Sequence, residues 1–278
     1  NTRNCERCLE TGVASNLTPC YSEDITPDRN TIPESPASLW RYAEFLPVNR
    51  DEAVTLGEGM TPMVYVDGFG HGPIRVKDES RNPTWSFKDR LATVAVSWAR
   101  KVGAPAIATS STGNAGAAAA AYAAKAGIPC IVLTYKGAAT AVISQMRAYG
   151  AMVLTLPNME DRWTVLSEAV RSHGWFPTSP FMSPAIGSNP IGVEGYKTLA
   201  YEKATYIDYT GTDWFESSAL VGDPSSTGNS AIITNEYIEE ILETNGFEDI
   251  STNYGNGNYS SWMQNELSDG ILYFNYRG

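Results

Sequence analysis

The sequence predicts an α/β fold built on a parallel sheet, and three observations predict it. Between residues 74 and 202, apolar runs of four to six residues alternate with longer stretches of helical period, the pattern of repeated strand–helix units. Gly127 and Gly150 stand where two of those helices would end. The same alternation returns in shorter form after residue 203, so the class does not change along the chain.

Taken in order, the apolar runs predict strands at Ile74–Lys77, Ala106–Thr109, Cys130–Thr134 and Met152–Leu156. The stretches between and after them predict helices at Phe87–Val102, Gly116–Ala126, Ala139–Tyr149 and Arg162–Ser172. Loops around Asn158 and from Pro177 to Pro190 are rich in Pro, Ser and Gly and are expected to face a cleft. The later part reads as strand Ala219–Val221, helix Thr234–Thr244, strand Asp249–Thr252, helix Ser260–Leu267 and strand Ile271–Phe274. No internal repeat, low-complexity segment or heptad run interrupts this reading.

The chain has 278 residues and 42% hydrophobic content, enough to bury a core. A formal charge of −11 argues against a nucleic-acid partner, whose phosphates need a basic footprint. That charge is unevenly placed. Residues 203–278 hold 12 acidic and 2 basic side chains, whereas the preceding residues hold 19 and 18. The chain is Ala-rich before about Glu202 and rich in Asn, Tyr and Ser after it, so two differently composed pieces meet near residues 200–215. The expected organisation is an N-terminal arm over 1–50, a catalytic segment over 51–202 with a small βα domain at about 89–180, and an acidic α/β tail over 203–278. No run of eighteen apolar residues occurs, and Asn1–Cys5 lacks the layout of a secretory signal, which together predict a cytoplasmic protein and no membrane partner.

Cys5-x-x-Cys8 has the spacing of half a zinc knuckle. Cys20 stands alone, Cys130 lies in an apolar run, and neither His71 nor His173 is near Cys20 in sequence. A closed structural zinc site takes four ligands, so no metal is expected.

Two stretches carry chemistry. In Asn82-Pro83-Thr84-Trp85-Ser86-Phe87-Lys88-Asp89-Arg90 a lysine opens a helix directly after a turn. The positive end of the helix dipole disfavours its charged form, and a Schiff-base nucleophile needs the neutral amine. Taken alone, the ordinary reading of such a lysine is solvated surface. In Ser110-Ser111-Thr112-Gly113-Asn114-Ala115-Gly116 small residues follow a strand and open an Ala-rich helix. Their backbone N–H groups can converge on an anion, with Asn114 adding a side-chain donor. A plain strand-to-helix connection would look the same.

Together with Thr55-Leu56-Gly57-Glu58-Gly59-Met60-Thr61-Pro62-Met63, Lys77-Asp78-Glu79 and Gly192-Val193-Glu194-Gly195-Tyr196-Lys197-Thr198, these stretches occur in the order seen in threonine synthases. Ser38-Leu39-Trp40-Arg41-Tyr42 resembles that family's N-terminal arm. The resemblance spans about residues 1–202 and implies the parallel-sheet, tryptophan-synthase-β-like fold of pyridoxal 5'-phosphate (PLP) enzymes. It implies that Lys88 forms the internal aldimine with PLP and later shuttles protons at the substrate carbons. It also implies that Asn114 bonds the 3-oxygen of the cofactor ring and that Ser111, Thr112 and Gly113 hold the substrate carboxylate or phosphate. The family converts O-phosphohomoserine and water to threonine and phosphate, with PLP as the electron sink. The partner implied is a small-molecule amino-acid substrate, with a homodimer left open as the assembly.

Three departures from the pattern carry expectations of their own. Trp85 stands where many members have glycine, which predicts a bulkier wall beside the lysine. Gly192 stands where phosphate-binding members carry arginine, so a substrate phosphate would lose a bidentate partner worth about 1.5–3 kcal/mol. After Glu202 the family's Gly-rich phosphate loop and the Ser/Thr facing the pyridine nitrogen are not found. Instead Ala219-Leu220-Val221-Gly222-Asp223-Pro224, Ile232–Ile238 and Leu272–Gly278 resemble early strands of gingipain-like cysteine peptidases, which have a caspase-like α/β fold. The sequence therefore reads as an incomplete, impaired lyase of β/γ-elimination or replacement type. A peptidase fragment and an inactive joined reading frame are the alternatives.

Overall fold

The computed structural model describes residues 36–67, 74–181, 187–204, 217–222, 230–244, 247–269 and 273–277, with residues 7, 10, 16, 17, 19–21 and 32 before them. Cys5 and Cys8 lie outside the described residues. The chain divides into two compact units, Asn1–Val66 with Ile74–Tyr206, and Asp67–Pro73 with Ile207–Gly278.

In the first unit β1 (Met63–Val66) and β2 (Ile74–Lys77) form an antiparallel pair. A second, parallel sheet contains β3 (Ile107–Ser110), β4 (Cys130–Tyr135), β5 (Met152–Leu156) and β6 (Phe176–Pro177) in the order β5-β4-β3-β6. Helices α1 (Lys88–Lys101), α2 (Asn114–Ala126), α3 (Thr140–Ala148) and α4 (Asp161–His173) separate these strands. Because helices cover both faces, β3 and β4 are apolar on both sides and show no alternation with polar residues. Ile107, Cys130 and Val132 join a core with α1 and α2, while Ala106, Ala108, Ile131 and Leu133 join another with Leu166 and Val170 of α4. The alanines of α2 meet Ala92, Ala95 and Ala99 of α1, and such small side chains let two helices approach closely. Gly127 (φ 69°) ends α2 and Gly174 (φ 66°) ends α4 in the left-handed conformation that glycine adopts without a Cβ clash.

A 3-10 helix at Leu39–Phe45 begins where Ser38 accepts the Trp40 N–H, and its Leu39 and Trp40 pack with Val94 of α1. Another 3-10 helix, Gly192–Lys197, runs into α5 (Thr198–Ala204) and lies against α1. A Cβ on Gly195 would sit 1.9 Å from the Arg90 carbonyl oxygen, so glycine is required there.

The second unit is a three-stranded parallel sheet in which β7 (Ser217–Gly222) lies between β8 (Asp249–Tyr254) and β9 (Tyr273–Arg277). Helices α6 (Ser230–Thr244) and α7 (Tyr259–Asp269) make the two crossovers. Ala219 and Leu220 of the central strand are buried. Parallel strands with crossover helices recur in many unrelated families and do not by themselves specify a peptidase.

Ile74–Lys77 and Met152–Leu156 have the bounds expected of them; Ile271 lies outside the described residues, and β9 is described from Tyr273. β1, β6 and the 3-10 helices are too short to show a period and were not foreseen. Cys20 is exposed, and Cys130 is buried, with its thiol pushed up to about 12 by burial. Among the described residues no helix is long and apolar enough to cross a membrane.

Candidate active site

The turn before α1 is held by its own polar side chains. Asn82, buried, accepts the Gly59 N–H at 3.0 Å and donates to the Glu79 carboxylate at 2.9 Å. The Thr84 N–H and hydroxyl both donate to Asp89 Oδ2, at 3.0 and 2.9 Å, and Ser86 Oγ accepts the Lys88 N–H. Lys88 is thereby fixed as the first residue of α1. Its Nζ donates to the Tyr196 hydroxyl at 3.2 Å and lies 4.2 Å from the centre of the Phe87 ring. Among the described residues it makes no ion pair. Burial holds its pKa below the usual lysine range. Desolvation thus does the work that the sequence reading assigned to the helix dipole.

Lys88 lines a cavity of about 130 Å³ at the carboxyl ends of β3 and β6, where open α/β sheets place ligands and where the strand order reverses. Leu91, Ala92, Ala115 and Ala119 give it an apolar wall; Ser110, Thr178 and Ser179 give it hydroxyls. Ser179 Oγ accepts the Ser110 N–H at 2.7 Å, and the buried Ser110 Oγ has no hydrogen-bond partner among the described residues.

The remaining foreseen residues are close by in the chain, but they do not line this cavity. Ser111 Oγ accepts the N–H groups of Gly113 and Gly116, so its hydroxyl caps the start of α2. A Cβ on Gly116 would sit 2.5 Å from the Met146 methyl group, so a side chain there would require the end of Met146 to move. Thr112 and Gly113 are half-buried, and Asn114 is exposed as the first residue of α2. The loop 111–114 joins Ser110 to Ala115, both of which line the cavity.

One expectation is corrected and another gains a packing reason. Trp85 does not narrow the cavity: it is 71% exposed and absent from the lining. Its φ of 63° is in the left-handed region, the conformation a glycine would take without strain. At Gly192 a Cβ would lie 3.0 Å from Leu91 Cγ and Ala95 Cβ, so a side chain there would start against α1. That packing accounts for the glycine, and a substrate phosphate is still left without an arginine partner at this position.

Sequence reasoning missed the scaffold beneath Lys88. Arg90, fully buried, pairs with Glu79 at 2.8 Å and Glu202 at 2.7 Å, and Lys77 reaches Glu202 at 2.8 Å. Two cations and two carboxylates balance in this network, as buried charges require. Glu58, also buried, accepts from Trp40 Nε1 and the Tyr122 hydroxyl, both at 2.8 Å. Most of those residues lie in the quoted motifs, whereas Tyr122 and Glu202 lie beyond them, and only the fold brings them together.

Over residues 54–215, more than half of its length, the sequence matches the family described as pyridoxal-phosphate dependent enzymes. The chain belongs to that family. It is 39% identical over 177 residues to the threonine synthase of Methanosarcina acetivorans, covering 62% of this chain and 42% of that protein. It is 33% identical over 259 residues to the threonine synthase of Halalkalibacterium halodurans, covering 81% of this chain and 70% of that protein. This chain thus spans less than half the length of the first relative. The likeness runs on past residue 202, where the sequence reading ended it. Among solved structures, diaminopropionate ammonia lyase from Escherichia coli superposes with a TM-score of 0.56 at 18% identity, covering 84% of this chain and 64% of that chain, a likeness of fold. The described site fits the family's cofactor in one respect the structure can test. It offers a desolvated amine without a carboxylate partner, facing a cavity with an orphan hydroxyl.

Proposed function

We propose that Lys88 is the residue to which pyridoxal phosphate attaches, in an enzyme of the threonine-synthase type that eliminates or replaces a group at the β or γ carbon of an amino-acid substrate. One observation carries this reading: the only lysine that lines the described cavity is Lys88, and its amine is held neutral-ready by burial and by partners that are not carboxylates. When bound, the cofactor supplies an electron sink for charge developed on the substrate carbons. Lys88 supplies a nucleophilic amine and, once released, a group able to hold or move a proton at those carbons. Asn114 is assigned to the 3-oxygen of the ring, and the loop Ser111-Thr112-Gly113 to the substrate carboxylate. Both assignments rest on the threonine-synthase likeness. Leu91, Ala92, Ala115 and Ala119 form an apolar wall beside Lys88 that contributes to desolvating its amine. A peptidase reading of residues 203–278 has no nucleophile or base to act with, since that stretch contains neither cysteine nor histidine. The test is borohydride reduction of the protein with pyridoxal phosphate, followed by peptide mapping. Label confined to Lys88 is expected; label spread over several lysines would sink the assignment.

A further inference from the structure

Tyr196 stands apart from the residues assigned so far, and its position follows from packing. It lies in the 3-10 helix Gly192–Lys197, whose Gly192 and Gly195 are pressed against α1, and this brings the phenol to the first turn of α1. Its ring is tilted against Phe87 with centroids 5.2 Å apart, and its hydroxyl oxygen is 3.2 Å from Lys88 Nζ.

We propose, on the reading of Lys88 given above, that Tyr196 is a catalytic residue of this site, its hydroxyl being the hydrogen-bond partner that holds the Lys88 amine in both protonation states. A carboxylate in the same place would favour the ammonium and oppose loss of its proton. A phenol can do either task, since its oxygen accepts from the ammonium and its O–H donates to the free amine. Burial pushes the Tyr196 phenol up, so it keeps its proton while the lysine changes state. The charged groups around it are engaged elsewhere. Asp89 takes both donors of Thr84, Arg90 is paired with Glu79 and Glu202, and Glu194 is paired with Lys197 and takes the Tyr21 hydroxyl. Among the described lining residues, Lys88 and Tyr196 are the titratable ones.

The test reads Lys88 without cofactor. Competitive labelling of the full chain with acetic anhydride from about pH 6 to about pH 11, with peptide mapping, gives the midpoint for each lysine. A bond to the charged ammonium is stronger than one to the neutral amine, so Tyr196→Phe should lower the Lys88 midpoint by roughly half to one pH unit. The midpoints of the other lysines and the melting temperature should stay unchanged. A fluorinated tyrosine at 196 keeps the packing while weakening the acceptor, and should move the midpoint the same way by less. An unchanged Lys88 midpoint in both variants overturns the role of Tyr196. Borohydride labelling away from Lys88 would overturn the functional reading instead, so the two failures are distinguishable.

Discussion

Asp89 shows how one residue near the site is set by its surroundings. Burial, with Glu58 nearby, raises its pKa to about 6, although Thr84 donates two hydrogen bonds that favour the charged form. The unfolded carboxyl ionises near 3.8. Between those values the folded protein keeps a proton that the unfolded chain has released, so this contribution to stability falls as pH rises from about 4 to about 6 and is flat above. Asp89→Asn keeps an acceptor for Thr84 and removes the titration. Relative to the wild type, its unfolding free energy in urea should improve across that window, by about 1–3 kcal/mol at the plateau. A difference independent of pH would show that Asp89 is not the group responsible. Lys88 was legible in the sequence because a lysine after Asn-Pro-Thr-x-Ser-Phe is a local pattern. Tyr196 was not, because its relation to Lys88 is made by two glycines packing on a helix more than a hundred positions earlier.

At the level of elements, the network of Lys77, Glu79, Arg90 and Glu202 ties β2, α1 and α5 together. The sequence places Glu202 more than a hundred residues from Arg90 and gives no sign of the charge balance. Glu202 was read as the last residue before a change in composition; in the fold it is fully buried between two cations. Removing one partner of a buried network leaves the others uncompensated, so Glu202→Gln should cost about 3–5 kcal/mol of stability. Chemical denaturation followed by tryptophan fluorescence would measure it, and a loss under about 1 kcal/mol would mean that the network carries little energy. Apolar residues of the β1–β2 pair are less well covered, with Tyr65 and Val76 exposed. Apart from the two-residue β6, the strands and helices of that parallel sheet were readable to within two residues at most ends, because each presents a continuous apolar run or a helical stripe. The 3-10 helices have no such signal.

For the whole molecule, the uneven charge has a consequence that can be measured. Residues 203–278 carry 12 acidic and 2 basic side chains, and like charges at that density oppose a compact state unless salt screens them. Raising sodium chloride from about 0.05 to about 0.5 M should therefore stabilise the unit Ile207–Gly278 more than the first unit. Scanning calorimetry of the full chain should show two transitions, one moving up with salt more than the other. A single transition insensitive to salt would contradict this. The sequence by itself determined the α/β class, the parallel order of most strands and helices, the family motifs and the place of Lys88 at the head of a helix, because each is written in short-range periodicity or in a contiguous run. Only the tertiary structure decided that Trp85 stands off the cavity, that Gly192 serves packing, and that Ser111 is spent on capping α2. It alone placed Tyr196 on Lys88 and balanced Arg90 against Glu79 and Glu202. Those facts depend on where side chains come to rest in three dimensions, whether their partners are near in the chain, as for Ser111, or remote, as for Tyr196, and packing density and charge compensation fix them.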